Sequence, residues 1–234
     1  MALVAAAAAV ADVRADGVWT DRTIDSVRQF SLGGSALHID PGGHPHVFVG
    51  GDRVYHDWFD GSAWQREIVD PKARSGDSLQ SAIGPSGDLH VVYQRSTPGG
   101  ANPMAPALVS QPPTSQLFYA TNLSGAWVVQ QIPTPSQSAA PGIVSGLVVD
   151  ANHAPHFLIG VPGVFHETLQ NGTWSWEPVA DVTNYASSQT KGSDQPPQLA
   201  IDASGDLHAI LYLATSGPNP RLDYAKRDAT GWHN

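Results

Sequence analysis

The chain has 234 residues, a formal net charge of −9, only 14% charged residues and no cysteine. The missing cysteine excludes a disulfide framework, thiolate catalysis and cysteine-ligated zinc. The acidic balance argues against non-specific nucleic-acid binding, which needs a basic footprint, and no apolar stretch reaches the roughly 18 residues of a membrane-spanning helix.

Residues 1–9 form an Ala-rich segment, and Ala9-Val10-Ala11 has the small-residue pattern of a cleavage site. The basic region that should precede such a site is missing. The segment reads either as a clipped signal remnant or as an Ala-rich strand or frayed terminus. The signal reading carries the expectation of a secreted or cell-surface protein. The next stretch, "VADVRADGVWTDRTI", matches "VYHDWFDGSAWQREIV" with Trp19 in the place of Trp64. The chain therefore enters its single repeat domain, residues 10–234, in the middle of a repeat.

Four units follow. Each opens on an apolar run, a tight polar turn and a second apolar run: "ALHIDPGGHPHVFV", "QSAIGPSGDLHVVY", "GLVVDANHAPHFLI" and "QLAIDASGDLHAIL". The anchor histidines are His46, His90, His156 and His208. Six residues earlier stand Asp40, Asp150 and Asp202, with Gly84 in the second unit. Apolar runs around a glycine-bearing turn are the mark of a β-hairpin. A second hairpin follows in each unit, turning at Asp60-Gly61, Ser124-Gly125, Asn171-Gly172 and Thr230-Gly231. Just past those turns come Trp64, Trp127, Trp174 and Trp232. Eight residues before each Trp stands a ring: His56, Tyr119, His166 or Tyr224.

Two hairpins per unit make four antiparallel strands, and four-stranded units at this period are the blades of a β-propeller. The expected fold is all-β, with blades at about 35–69, 78–132, 143–179 and 197–234, the last completed by the strand 18–24. Closing the ring removes open sheet edges. A ring that one chain does not close can be closed by an oligomer, and a fragment of a longer propeller is the rival reading. Units 1 and 3 carry His in the third strand and units 2 and 4 carry Tyr, as in a duplicated pair.

The units, followed by a Tyr/His strand and a Gly-x-Trp strand, resemble the repeats of bacterial sialidase-like (BNR-type) propeller proteins. The resemblance covers Val10 to the C-terminus and implies the fold. The sequence departs from that family's Asp-box, since the run here is Asp-x-x-Gly-x-x-His. The arginine triad, the Tyr nucleophile with its Glu partner and the Asp acid find no matching positions. The family's catalytic residues are not carried over, and fold alone does not give function.

Two residue sets bear on chemistry. The strand-B histidines His46, His90, His156 and His208 are candidate metal ligands, since neutral imidazole suits Fe or Zn. The competing reading is structural: an imidazole beside a turn bonding a turn carbonyl or the Asp six residues back, as a buried polar group requires. The structural reading is preferred, and no cofactor is expected. Asp57 and Glu167, at one strand-C position in units 1 and 3, are expected at an exposed or edge location.

The long connections 94–116 and 180–195 would rise over one mouth of the propeller, where long loops are functional or disordered. Tyr93, Arg95, Tyr185 and Tyr212 fall at or near that rim and suit a sugar ring or a peptide. The expected function is a non-catalytic binding module for a glycan or protein at the long-loop face. The alternatives are a glycosidase- or lyase-type enzyme, a metal-dependent propeller enzyme, or a part of a larger surface protein.

Overall fold

Apolar runs broken by glycine-bearing turns fold each repeat into a four-stranded antiparallel sheet. The computed structural model describes residues 34–72, 75–96, 115–133, 143–161, 163–179, 197–213 and 221–233. Sheet 1 holds β1 (Ser35–Ile39), β2 (Pro45–Gly50), β3 (Val54–Phe59) and β4 (Trp64–Asp70). Sheet 2 holds β5 (Ser75–Ile83), β6 (Leu89–Ser96), β7 (Ser115–Thr121) and β8 (Val128–Gln131). Sheet 3 holds β9 (Ile143–Val149), β10 (Pro155–Val161), β11 (Gly163–Gln170) and β12 (Thr173–Pro178). Sheet 4 holds β13 (Gln198–Ile201), β14 (Leu207–Leu213), β15 (Arg221–Asp228) and β16 (Gly231–His233). Within every sheet the strands lie side by side in chain order. Among the described residues there is no helix, and so none long and apolar enough to cross a membrane.

The turn between the first two strands is written the same way four times. In sheet 1 the Gly43 N–H donates to the Asp40 carbonyl at 2.9 Å, and the Asp40 N–H donates to the His44 carbonyl at 2.9 Å. The position that closes this turn needs a left-handed backbone. Gly43, Gly87 and Gly205 supply it at φ +84°, +82° and +86°. In sheet 3 the same place is held by His153, at φ +62°. A side chain is uncommon in that region, though His is among the types that tolerate it.

Each sheet has a leading face, turned to the next sheet in the chain, and a trailing face, turned to the one before. Three cores result. Phe48 and Val54 on the leading face of sheet 1 meet Val91 and Tyr93 of sheet 2. Val92 and Leu117 of sheet 2 meet Phe157 and Ile159 of sheet 3. Leu158 and Val164 of sheet 3 meet Ala209 and Leu211 of sheet 4. The first strands run next to one another in sequence, β1 by β5, β5 by β9 and β9 by β13. This is the radial stacking of a β-propeller. Burial on both faces explains the unbroken apolar runs, since Val91, Val92 and Tyr93 are all fully buried although they alternate faces.

Sheet 4 carries its own fourth strand, β16, with Trp232 opposite Arg227. The expected contribution of residues 18–24 lies outside the described residues. So do most of the connection 94–116 and all of 180–195.

Glycine lets the inner strands approach closely. A Cβ on Gly146, at φ +64°, would stand 2.5 Å from the Leu199 backbone nitrogen. Gly146→Ala is therefore expected to lower unfolding stability by on the order of 1–3 kcal/mol, read by urea denaturation. A stability equal to that of the parent chain would show that β9 and β13 have room the geometry denies.

Candidate functional site

The repeated histidine does the same job in all four sheets by two routes. In sheet 1, His46 Nδ1 bonds His56 Nε2 at 2.9 Å, and His56 Nδ1 donates to Glu67 Oε1 at 2.9 Å. Sheet 3 repeats this with His156, His166 and Glu177, at 2.9 and 3.0 Å. The paired imidazoles stack with centroids 5.1 Å apart in both sheets. In sheet 4, His208 Nδ1 accepts from the Tyr224 hydroxyl at 2.7 Å and its Nε2 donates to Asp202 at 3.1 Å. In sheet 2, His90 bonds the Tyr119 hydroxyl and Asp88 in the same two directions. Each strand-B imidazole thus links its strand-C ring to the turn. In sheets 1 and 3 the turn carboxylates Asp40 and Asp150 stand 3.6 Å from His46 and His156.

Sheet 2 reaches this end differently from sheet 4, although both spell Ser-Gly-Asp-Leu-His. Gly84 replaces the turn aspartate, and a Cβ there would overlap the Asp88 carboxylate. Asp88 occupies that room and becomes the partner of His90. In sheet 4, Asp202 does this work, so the matching Asp206 is free to pair with Lys226 at 2.7 Å. Asp88 also receives His153 from the neighbouring sheet, with His153 Nδ1 at 2.9 Å from Oδ1. Among the described residues, Asp88, His90 and His153 form the one group whose ligand atoms gather for a metal, all within 4.8 Å of one another. One carboxylate and two imidazoles are a set that zinc accepts, with a fourth position open.

Burial governs the charge of these groups. It lowers the pKa of His90 and His166, and pushes His156 down to about 4. Glu177 goes the other way: the hydrogen bond from His166, with Arg227 of sheet 4 beside it, holds its carboxyl down to about 2. The tryptophan of the following sheet caps each leading-face ring edge-on. Trp127 meets His56 with centroids 6.1 Å apart, Trp174 meets Tyr119 at 5.5 Å and Trp232 meets His166 at 5.7 Å. Such edge-to-face pairs are favoured by the ring quadrupole.

Between sheets 2 and 3, on the side of the tight turns, opens a cleft of about 500 Å³. Tyr119 belongs to its wall, as do the amides of Gln130, Asn152, Gln170 and Asn171 and the apolar Leu123 and Leu169. Asp150 also lines it, but its Oδ1 is taken by the backbone N–H groups of Asn152 and Ala154, each at 2.8 Å. The size falls in the range of small-ligand sites.

Of the residues expected at the long-loop rim, Tyr93 and Arg95 are drawn into a seam between sheets. Tyr93 is fully buried, because strand alternation turns it onto sheet 1, where its hydroxyl donates to Asp70 at 2.7 Å. Arg95 pairs with the same Asp70 and lies 3.6 Å from the centroid of the Phe118 ring. Both therefore serve the sheet 1–sheet 2 seam. Tyr212 lies on β14 opposite Leu222 of β15, and Tyr185 lies outside the described residues. His46, His90, His156 and His208 sit in four different sheets, each in its own relay, and of these His90 alone joins the metal-type cluster.

The expectation that Asp57 and Glu167 lie at an exposed edge is overturned. Both are buried on trailing faces, Asp57 against Arg66 and Glu167 with only 1% of its surface exposed. Neither Glu167 oxygen has a hydrogen-bond partner among the described residues, and burial raises its pKa to about 8.

Sequence reasoning missed Glu67, Glu177 and His153. The signals were present: a Glu stands three residues past the Trp in the units whose third strand carries His, and Gln130 stands there in unit 2. His153 occupies a place that is glycine in the other three turns.

These relations define a propeller-type all-β protein. No family model matches the sequence, and no curated protein is significantly similar to it. The chain is similar in fold to a fungal lectin, that of Aleuria aurantia, described as a six-bladed β-propeller with a novel fucose recognition mode. The TM-score is 0.51 at 13% identity, covering 87% of this chain and 59% of that one. It is likewise similar to the Hadza microbial sialidase Hz136, with a TM-score of 0.50 at 13% identity, covering 87% of this chain and 46% of that one. The chain thus spans less than two thirds of either structure.

Two outcomes follow from this geometry. Glu167 keeps its proton in the fold up to about pH 8, while in the unfolded chain it ionises near its ordinary 4.5. Stability is therefore lost as pH rises through that window, by on the order of 5 kcal/mol. Glu167→Gln should remove this slope, gaining on the parent chain in melting temperature at pH 8.5 and converging with it near pH 4.5; parallel melting curves would contradict it. Asp88→Ala should cost about 2–4 kcal/mol, because it strips buried His90 of its acceptor, whereas Asp206→Ala at the matching place in sheet 4 should cost under about 1 kcal/mol. Chemical denaturation of the two variants checks the contrast.

Proposed function

We propose that this chain is a non-catalytic glycan-binding module, with the cleft between sheets 2 and 3 as its recognition site. The observation that carries the reading is the lining of the cleft. Four side-chain amides give paired donors and acceptors for sugar hydroxyls. Leu123 and Leu169 give an apolar wall for the C–H face of a pyranose. With Asp150 as the one carboxylate in the described lining and no Lys or Arg, the cleft suits an uncharged sugar better than an acidic or phosphorylated one. The likeness of fold to a propeller lectin supports the reading. The long-loop face expected from the connections 94–116 and 180–195 belongs to the opposite strand ends and is retained as a separate place for a glycan or a protein.

A second reading is favoured by one observation. Asp88, His90 and His153 stand beside the cleft, which His153 and Tyr119 also line. If that set binds a cation, the cleft becomes metal-dependent, either as a lectin or as an enzyme acting on glycans.

The test is binding of the purified chain to a broad glycan array, in EDTA and in added zinc. Binding that survives EDTA and falls at least tenfold in Asn152→Ala and Gln130→Ala, with melting temperatures unchanged, supports the proposal. Binding that requires zinc and is lost in His153→Ala moves the reading to the metal-dependent one. No binding in either condition overturns the glycan proposal.

A further inference from the structure

The chain makes one interface three times and exposes both halves of a fourth. The leading-face position two residues after the strand-B histidine is Phe48, Val92 or Leu158 in sheets 1 to 3, all fully buried. In sheet 4 it is Ile210, 46% exposed. The position two residues before the strand-C ring is Val54, Leu117 or Val164, again buried, but Leu222 in sheet 4 is 66% exposed. His56, Tyr119 and His166 are buried under the tryptophan of the following sheet, whereas Tyr224 is 54% exposed. Sheet 4 therefore presents a leading face that no other described sheet covers.

Sheet 1 presents the other half. On its trailing face Leu37 is 62% exposed, while its counterparts Ser81, Leu147 and Leu199 are buried against the preceding sheets. Ile39 and Ile68 lie exposed on the same face. Trp64 holds the place of Trp127, Trp174 and Trp232, each of which caps a ring of the sheet before it. Six of the nine large apolar residues exposed among the described residues belong to these two faces; the remaining three are Leu123, Val128 and Trp176. Patches of this size and order mark interaction surfaces. Because Leu37 and Leu222 are both exposed, the two faces do not cover each other in this structure.

We infer that the trailing face of sheet 1 docks on the leading face of sheet 4 of a second copy of this chain, continuing the sheet stack from one copy to the next. The occupant is a second copy because the missing partner of each face is the other face, residue class by residue class. Leu37 takes the role of Leu147 and Leu199, and Trp64 takes the role of the capping tryptophans over Tyr224. Such a contact is heterologous, head to tail, and it closes a ring when the rotation allows.

The absence of cysteine permits a direct test. In the sheet 1–sheet 2 seam, His38 Nε2 lies 2.8 Å from Ser81 Oγ. The matching pair across the inferred interface is Ala200 of one copy and Leu37 of the other. Leu37→Cys and Ala200→Cys chains, mixed and treated with a short bis-maleimide, should give a crosslinked heterodimer that neither gives alone. Light scattering on the parent chain should show a multiple of 24.7 kDa, and Leu222→Lys, at an exposed position, should return it to the monomer while leaving the fold intact by circular dichroism. A parent chain that stays monomeric without a mixed crosslink overturns the inference, because the faces are then covered by other chain or left bare. Crosslinking within a single chain carrying both cysteines, without a dimer, overturns it in favour of closure by one chain.

Discussion

A hydrogen-bonded imidazole at the mouth of each tight turn organises this protein. The strand-B histidine sits where a polar group is being buried between two sheets, and such a group costs free energy unless its partners come with it. The partners are built into the same repeat: a ring on strand C and, at the turn, a carboxylate. The relay fixes the hairpin end of every sheet. It also presents a flat, neutral ring to the sheet that follows, and a tryptophan edge lands on that ring. The polar interior and the apolar seam are therefore two sides of one device, and the apolar clusters between the sheets extend it inward.

The relay comes in two chemical forms, and the alternation accounts for much of the local variety. Where strand C carries His, a glutamate three residues past the strand-D tryptophan terminates the chain of bonds. Where strand C carries Tyr, the hydroxyl donates and no such glutamate is needed. The swap between Gly84 and Asp88 shows how tightly the turn is specified. A carboxylate comes to the imidazole from either side, and where it comes from Asp88 the position facing it is glycine. His153 then exploits this displaced carboxylate from across the seam, at the cost of a left-handed backbone. Strain of that kind is tolerated where neighbouring contacts over-determine it, and here it lies beside the cleft.

Much of the fold was legible because the repeat is periodic and its turns carry glycine at fixed offsets. The four sheets and the order of their strands follow from spacing alone. The placement of functional candidates was less legible, for a physical reason. A propeller strand is buried on both faces, so alternation does not separate inside from outside. Tyr93 looked like a rim residue and is interior; Asp57 and Glu167 looked like edge carboxylates and are interior too. The cleft between sheets 2 and 3 draws on residues from two repeats, and its amides, Gln130 on β8, Gln170 on β11 and Asn152 and Asn171 in turns, fall at positions the repeat does not fix. For the histidines the sequence offered an Asp six residues before three of them, and of these Asp202 bonds its histidine while Asp40 and Asp150 stand 3.6 Å away.

The central claim is that the buried imidazoles His90, His156 and His166 are neutral links with tautomers set by their partners. A carboxylate only accepts, so His90 must carry its proton on Nε2 towards Asp88 and accept from Tyr119 on Nδ1. In sheet 3 the direction is reversed: His166 donates from Nδ1 to Glu177, and His156 donates from Nδ1 to His166. Long-range proton–nitrogen correlation spectra of the imidazole rings, recorded at neutral pH on the labelled chain, read these tautomers directly. The account predicts the Nε2–H form for His90 and the Nδ1–H form for His156 and His166. Doubly protonated rings, or a single tautomer shared by all three, would contradict it.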